Sequence, residues 1–118
     1  MTVTHAVTVS LPFPLGVNNL YLNLPGRGRV LSPKYRAWQT ETQWMLIEQG
    51  PSRIAGPFHA SILVSRPDKR KRDIDGLVKC CLDAIVKAGI VEDDSLAESV
   101  SIAWAPGIVG AQVSLTKH

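Results

Sequence analysis

The sequence predicts an α/β sandwich, a two-layer fold in which two helices pack on one face of a mixed β-sheet, built as one domain over residues 1–118. Three observations lead there. Segments that alternate apolar and polar residues flank segments whose apolar residues recur every three or four positions, in the order strands, helix, strand, helix, strands. The 118 residues are 45% hydrophobic and 19% charged, which suffices for one core and is too apolar for a disordered tail. No repeat, low-complexity tract or long linker interrupts the chain.

Val3, His5, Val7, Val9 and Leu11 alternate with Thr4, Ala6, Thr8 and Ser10, a strand pattern that Pro12 and Pro14 close. Asn18-Asn19 is a turn-prone pair, and residues 21–24 and 28–31 form two short strands around Pro25-Gly26-Arg27-Gly28. Ser32-Pro33 opens a helix, with Ser as N-cap and Pro at the first helical position. Tyr35, Trp38, Thr42, Met45, Leu46 and Gln49 follow at helical spacing until Gly50-Pro51, so the aromatics here read as core packing rather than base stacking. Phe58, Ala60, Ile62 and Val64 make the next strand. A second helix starts around Asp73 to Asp75, buries Ile74, Leu77, Val78, Cys81, Leu82 and Ile85, and ends at Gly89 in the left-handed position. Residues 99–104 and 111–115, joined through Pro106-Gly107, are the last two strands.

Composition narrows the function. No apolar run approaches the ~20 residues that span a bilayer, and the alternating N-terminus lacks the charged-then-apolar pattern of a signal peptide. Cys80 and Cys81 are neighbours, a spacing that disfavours a disulfide, so both are expected as reduced core thiols in a cytoplasmic protein. No zinc-ligand spacing is present, and His5, His59 and His118 are scattered. The net charge of +3 is mild, but cations concentrate locally: Arg66, Lys69, Arg70, Lys71 and Arg72 occur with Asp68 as the one anion among them.

The basic run Lys69-Arg70-Lys71-Arg72 leads straight into Asp73-Ile74-Asp75. In extended backbone, residues i and i+2 point to the same side, so two carboxylates can converge on one hard cation such as Mg²⁺ or Mn²⁺. Asp93-Asp94 is a second acidic pair. Asp94 can close the same site if the strand after it lies beside the one ending near Ser65. A plainer reading stands next to this one. Asp at a helix start caps free N–H groups, Asp93-Asp94-Ser95 fits a polar turn, and Asp75, Lys79, Asp83 and Lys87 form an i, i+4 ion-pair stripe on a solvated helix face. A charged run is usually a solvated face, but its placement beside the acidic pair points toward phosphate contact, and Arg27 and Arg29 in their Gly-rich loop would extend that footprint.

The series Lys69 to Asp75, then Lys79, then Lys87-Ala88-Gly89-Ile90-Val91-Glu92-Asp93-Asp94 resembles the RusA family of Holliday junction resolvases. Leu11-Pro12-Phe13-Pro14, Asn18-Asn19 and Ser32-Pro33-Lys34-Tyr35-Arg36-Ala37-Trp38 are similar to that family in the same order, so the likeness runs from about Val7 to Leu115. The resemblance implies a RusA-like α/β homodimer that cleaves four-way DNA junctions with Mg²⁺ or Mn²⁺. It implies Asp73, Asp75 and Asp94 as metal ligands and catalytic residues, Lys79 as the catalytic lysine, Lys69, Arg70, Lys71 and Arg72 as the DNA-contacting segment, and Val17, Asn18, Asn19 and Leu20 as a second DNA contact. Gly76 departs from the pattern, standing where the family often has Asn. The implied chemistry is metal-assisted hydrolysis of a phosphodiester by a dimer that supplies two symmetric active sites. A basic DNA-binding module without catalysis, and a nuclease acting on flaps, forks or duplex, are the alternative readings.

Overall fold

The computed structural model describes residues 6–118, so the strand positions Val3 and His5 lie outside the described residues. Strand β1 (Ala6–Leu11) is followed by a 3₁₀ turn (Val17–Asn19), β2 (Tyr21–Leu24), β3 (Gly28–Leu31), helix α1 (Pro33–Gln49) and β4 (Phe58–Val64). A second 3₁₀ turn (Ile74–Leu77) leads into α2 (Val78–Lys87), a third (Asp94–Leu96) into β5 (Ala97–Trp104), and β6 (Ala111–Lys117) closes the fold.

The main sheet is four-stranded and mixed, in the order β1-β6-β4-β5. β6 runs antiparallel to β1 and β4, while β5 runs parallel to β4. Parallel neighbours cannot be joined by a hairpin, so residues 65–96 form a crossover that carries the basic run, both acidic pairs and α2. Alternation sorts the two faces. Val7, Val9, Leu11, Phe58, Ala60, Ile62, Val64, Ala111, Val113 and Leu115 face the helices and are buried. Thr8, Ser114, Ser61 and Ser101 form a register row on the other face. From the helical layer, Tyr35, Trp38, Leu46, Leu77, Cys80, Cys81, Ala84 and Ile85 complete the core, each large apolar side chain contributing roughly 1.5–3 kcal/mol by burial.

Helix α1 begins as its sequence predicts. Ser32 Oγ accepts the Tyr35 N–H at 3.1 Å and Gly50 ends the helix in left-handed geometry. Its C-terminal Gln49 clamps β1, accepting the Ser10 N–H at 2.7 Å and donating to the Ser10 carbonyl at 2.8 Å. Trp38 donates its indole N–H to the Phe13 carbonyl at 2.9 Å, which fixes the chain just beyond β1. Gly110 serves the same junction: at φ +73° it lets Leu11 pass so closely that a Cβ would fall 2.3 Å from the Leu11 carbonyl oxygen.

Two expectations change. Among the described residues, strands β2 and β3 do not join the main sheet but pair with each other, in a separate two-stranded hairpin. They are four residues each, with Leu22, Asn23 and Arg29 exposed, and carry no continuous apolar face to dock. The second helix starts at Val78, because Ile74–Leu77 winds as a 3₁₀ turn. Cys80 therefore joins Cys81 in the core, while Val78 and Leu82 are half-buried.

The adjacent thiols are free and fully buried. Burial pushes the Cys80 thiol up to about 12 and the Cys81 thiol higher still, so both stay protonated at neutral pH. The folded protein is expected to leave both cysteines unmodified by an aromatic disulfide reagent at pH 8, with two thiols released on denaturation. Rapid labelling of the native chain would contradict this placement.

Candidate active site

The crossover is organised by Asp68, the one anion of the basic run. Its carboxylate accepts the Arg70 N–H at 2.9 Å and both guanidinium nitrogens of Arg72 at 2.6 and 3.0 Å, with Arg70 Nε at 3.3 Å. The Arg72 bonds, then the Arg70 amide, hold Asp68 far below the usual carboxylate range, and Arg72 is raised in return. The four cations therefore divide. Arg72 is folded onto Asp68, its side chain 23% exposed and its guanidinium 5.4 Å from the Phe13 ring centroid. Arg70 also reaches Asp68 but stays 81% exposed, and Lys69 and Lys71 extend into solvent.

Asp73 follows Arg72 in extended conformation at φ −80°, ψ 112°, and occupies the cap position of the 3₁₀ turn without its side chain capping anything. Asp75 lies inside that turn. Both residues are exposed, and neither forms an ion pair among the described residues. The capping-and-stripe explanation of the two carboxylates is thus not the arrangement adopted. They line a cleft of about 500 Å³ together with Arg72, Gly76, Lys34 and the segment from Phe13 to Asn19. The cleft is pinched where Gly76 meets Val17: a Cβ there would make ordinary contact with Val17 Cγ1 at 3.9 Å. A side chain at position 76 would therefore reach toward the 3₁₀ turn Val17–Asn19.

Lys79 sits in the first turn of α2. Its ammonium lies 3.1 Å from Asp83 Oδ1 and 3.8 Å from Asp94 Oδ2. Asp83 is steadied on its other oxygen by the Tyr35 hydroxyl at 3.3 Å. The hydrogen bond and charge of Asp83, and secondarily the charge of Asp94, raise Lys79 above its ordinary value, so it is cationic at neutral pH. Of the two neighbours that the i, i+4 stripe offered Lys79, only Asp83 pairs with it: with the helix starting at Val78, Asp75 is off the α-helical surface.

Strand β5 does lie beside β4, the condition set for Asp94 to approach. Asp93 takes the local turn role, accepting the Asp94 N–H at 2.9 Å and the Ser95 hydroxyl, which holds its carboxyl below the usual range. That leaves the Asp94 carboxylate facing Lys79. Among the described residues no three His, Cys, Asp or Glu side chains gather tightly enough to hold a metal ion by themselves. The donor chemistry nevertheless fits a small hard cation. Such an ion takes one or two carboxylates and completes its octahedron with water and phosphate oxygens, and Asp73 and Asp75 offer two uncommitted carboxylates in one cleft.

The remaining candidates divide by exposure. Val17, Asn18 and Asn19 are exposed at the cleft, but Leu20 is fully buried and its side chain cannot meet DNA, a correction that follows from its place in the core. Arg29 packs its guanidinium on Tyr21 at 3.9 Å, Tyr21 meets Tyr35 edge-on at 6.2 Å, and Arg27 is exposed at the hairpin tip. The sequence reading had no role for Lys34 in the cleft, for Asp68 as the clamp of the basic run, or for Tyr35 behind Asp83. For Asp68 the i+4 spacing to Arg72 was an available signal; for Tyr35, far from Asp83 in the chain, there was none. No helix among the described residues is long and apolar enough to cross a membrane.

Residues 13–115 match the family described as endodeoxyribonuclease RusA. The chain is 28% identical over 112 residues to the crossover junction endodeoxyribonuclease RusA of Shigella sonnei (strain Ss046), covering 95% of this chain and 93% of that one. The protein of the same name from Escherichia coli (strain K12) is 29% identical over 116 residues, with coverage of 95% and 93%. That from Aquifex aeolicus (strain VF5) is 33% identical over 85 residues, with coverage of 70% and 67%.

Proposed function

The chain belongs to the RusA family of endodeoxyribonucleases, and on that premise we propose that it resolves four-way DNA junctions by hydrolysing phosphodiester bonds, as one endonuclease domain in the cytoplasm. The observation that carries this reading is the cleft in which Asp73 and Asp75, bound to no cation among the described residues, stand beside a basic segment. Asp73 and Asp75 are the residues that would hold Mg²⁺, with Mn²⁺ as its substitute, and Asp94, paired with Lys79 at 3.8 Å in this structure, would be the third ligand that the resemblance implies. When bound, the ion supplies acidity to water and offsets charge on the phosphoryl oxygens.

The protein's own groups do the rest. Lys79, held by Asp83, presents a fixed positive charge to the phosphate as negative charge grows on its oxygens. Arg72, locked by Asp68, forms a rigid cationic wall of the cleft, while Lys69, Arg70 and Lys71 seat the backbone of the incoming strand. Val17, Asn18 and Asn19 line the same cleft, and Arg27 and Arg29 would extend the phosphate track along the hairpin. A four-way junction presents two symmetric cut sites, so the acting species is a two-fold homodimer.

An end-labelled four-way junction incubated with and without Mg²⁺, alongside flap, fork and duplex substrates, tests the reading. Cleavage of the junction at paired symmetric positions, dependent on Mg²⁺, is the expected result. Binding without cutting would leave a DNA-binding module, and preferential cutting of flaps or forks would move the substrate within the branched DNAs. Affinity itself should be strongly salt-dependent. Replacing Lys69 and Lys71 with Ala is expected to reduce the magnitude of the slope of log K against log [salt] by roughly 2, at about 0.9 per phosphate contact, as followed by fluorescence anisotropy.

A further inference from the structure

The charges that line the cleft do not balance around a substrate. Asp73 and Asp75 bring two negative charges into it. Even with the charge of Mg²⁺ set against them, the charge of an entering phosphate is left over. Among the described residues the cations lining the cleft are Arg72 and Lys34. Arg72 is committed to Asp68 by bonds of 2.6 and 3.0 Å. It is also backed by a column of rings: its guanidinium lies 5.4 Å from Phe13, Phe13 stacks on Trp104 at 6.5 Å, and Arg66 lies 4.3 Å over Trp104. Lys79 is not among the lining residues, and its ammonium is held by Asp83 and Asp94. Lys34 is exposed and forms no ion pair among the described residues.

The backbone carries Lys34 to the cleft on a fixed support. It is the second residue of α1, directly after Pro33. Ser32 donates its hydroxyl to the Asn19 carbonyl at 2.7 Å and its N–H to the Leu20 carbonyl at 2.9 Å. These bonds fasten the start of α1 to the Val17–Asn19 turn, which lines the same cleft. The placement is also electrostatically adverse. The N-terminal end of a helix is its positive end, where Asp and Glu are favoured and Lys is not. The first turn of α1 contains no acidic residue and holds Lys34 instead. A cation that its own helix disfavours is stabilised when an anion arrives from outside, and a phosphate in the cleft is such an anion.

We propose that Lys34 is a further catalytic residue, whose ammonium contacts a non-bridging oxygen of the phosphodiester being cut. The role rests on the reading of the chain as a metal-assisted nuclease. In the step, the oxygen of water bonds to phosphorus and loses a proton to solvent, while the bond from phosphorus to one sugar oxygen breaks and that oxygen takes up a proton. Lys34 transfers no proton and only offsets the charge that grows on the non-bridging oxygens.

Single-turnover cleavage of a labelled four-way junction in Mg²⁺, junction binding in EDTA and thermal melting test this together. Lys34→Gln is expected to slow cleavage about 100-fold and to weaken binding only a few-fold. Its Tm should be unchanged or raised, because an adverse charge leaves the helix start. Lys34→Arg, which keeps the charge, should restore most of the lost rate. An unchanged rate in Lys34→Gln, a rate lost in step with Tm, or no recovery in Lys34→Arg would each overturn the role. An unchanged rate would remove Lys34 alone and leave the nuclease reading standing. A parent chain that binds junctions without cutting them in Mg²⁺ would refute the nuclease reading and this role with it.

Discussion

Asp75→Asn is expected to lower the single-turnover cleavage rate of a four-way junction in Mg²⁺ by on the order of 10³, with junction binding retained. The side chain is exposed in the cleft and pairs with no cation among the described residues, so the substitution should leave stability within about 0.5 kcal/mol. Asn keeps the shape and one carbonyl oxygen but loses the charge that draws a hard cation. It also removes repulsion with Asp73, so DNA, itself an anion, should bind equally well or more tightly. Thermal melting, anisotropy in EDTA and single-turnover cleavage separate the three effects. Cleavage at the parent rate would sink the metal assignment. Loss of binding together with cleavage would show instead that Asp75 shapes the cleft.

Lys79→Met is the second large effect, a fall of about 10²–10³ in the rate of the chemical step with affinity changed by only a few-fold. Met retains most of the aliphatic stem and removes the charge. The Lys79 side chain is 48% exposed and its pairs with Asp83 and Asp94 are partly solvated, so its structural contribution is at most about 1 kcal/mol. A pure surface-stripe role for Lys79 would leave cleavage untouched. Asp83→Asn provides the graded control. Lys79 keeps its charge and loses its 3.1 Å anchor, so the rate should drop by roughly tenfold rather than a thousandfold, as for groups that orient a catalytic side chain. Equal losses in Lys79→Met and Asp83→Asn would indicate that the ion pair acts as a structural unit and that the lysine has no separate part in the chemistry.

These two predictions rest on information of different kinds. The pair Asp73 and Asp75, their placement after a strand and before a helix, and the cations that precede them are local features, readable because neighbours along the chain remain neighbours in space. The same holds for the Ser32 cap, the α1 face and the strands β4 and β6, where side-chain periodicity alone reports which face is buried. The partner of Lys79 was not readable. Asp75 and Asp83 are both four residues away, and only the winding of Ile74–Leu77 as a 3₁₀ turn leaves Asp83 in register. Leu20 looked like part of an exposed contact segment until the hairpin turned its side chain into the core.

By itself, then, the sequence determined the order of strands and helices, the α/β class and the neighbouring Arg72, Asp73 and Asp75 that line the cleft. Each of these follows from backbone periodicity or from charges a few residues apart. The tertiary structure alone decided the isolation of the β2–β3 hairpin, the parallel seat of β5 beside β4, the Tyr35–Asp83–Lys79–Asp94 chain and the Arg66–Trp104–Phe13–Arg72 column. Those contacts join residues far apart in the chain, and which of many compatible pairings forms is set by the shared burial of one core, a property no local window contains.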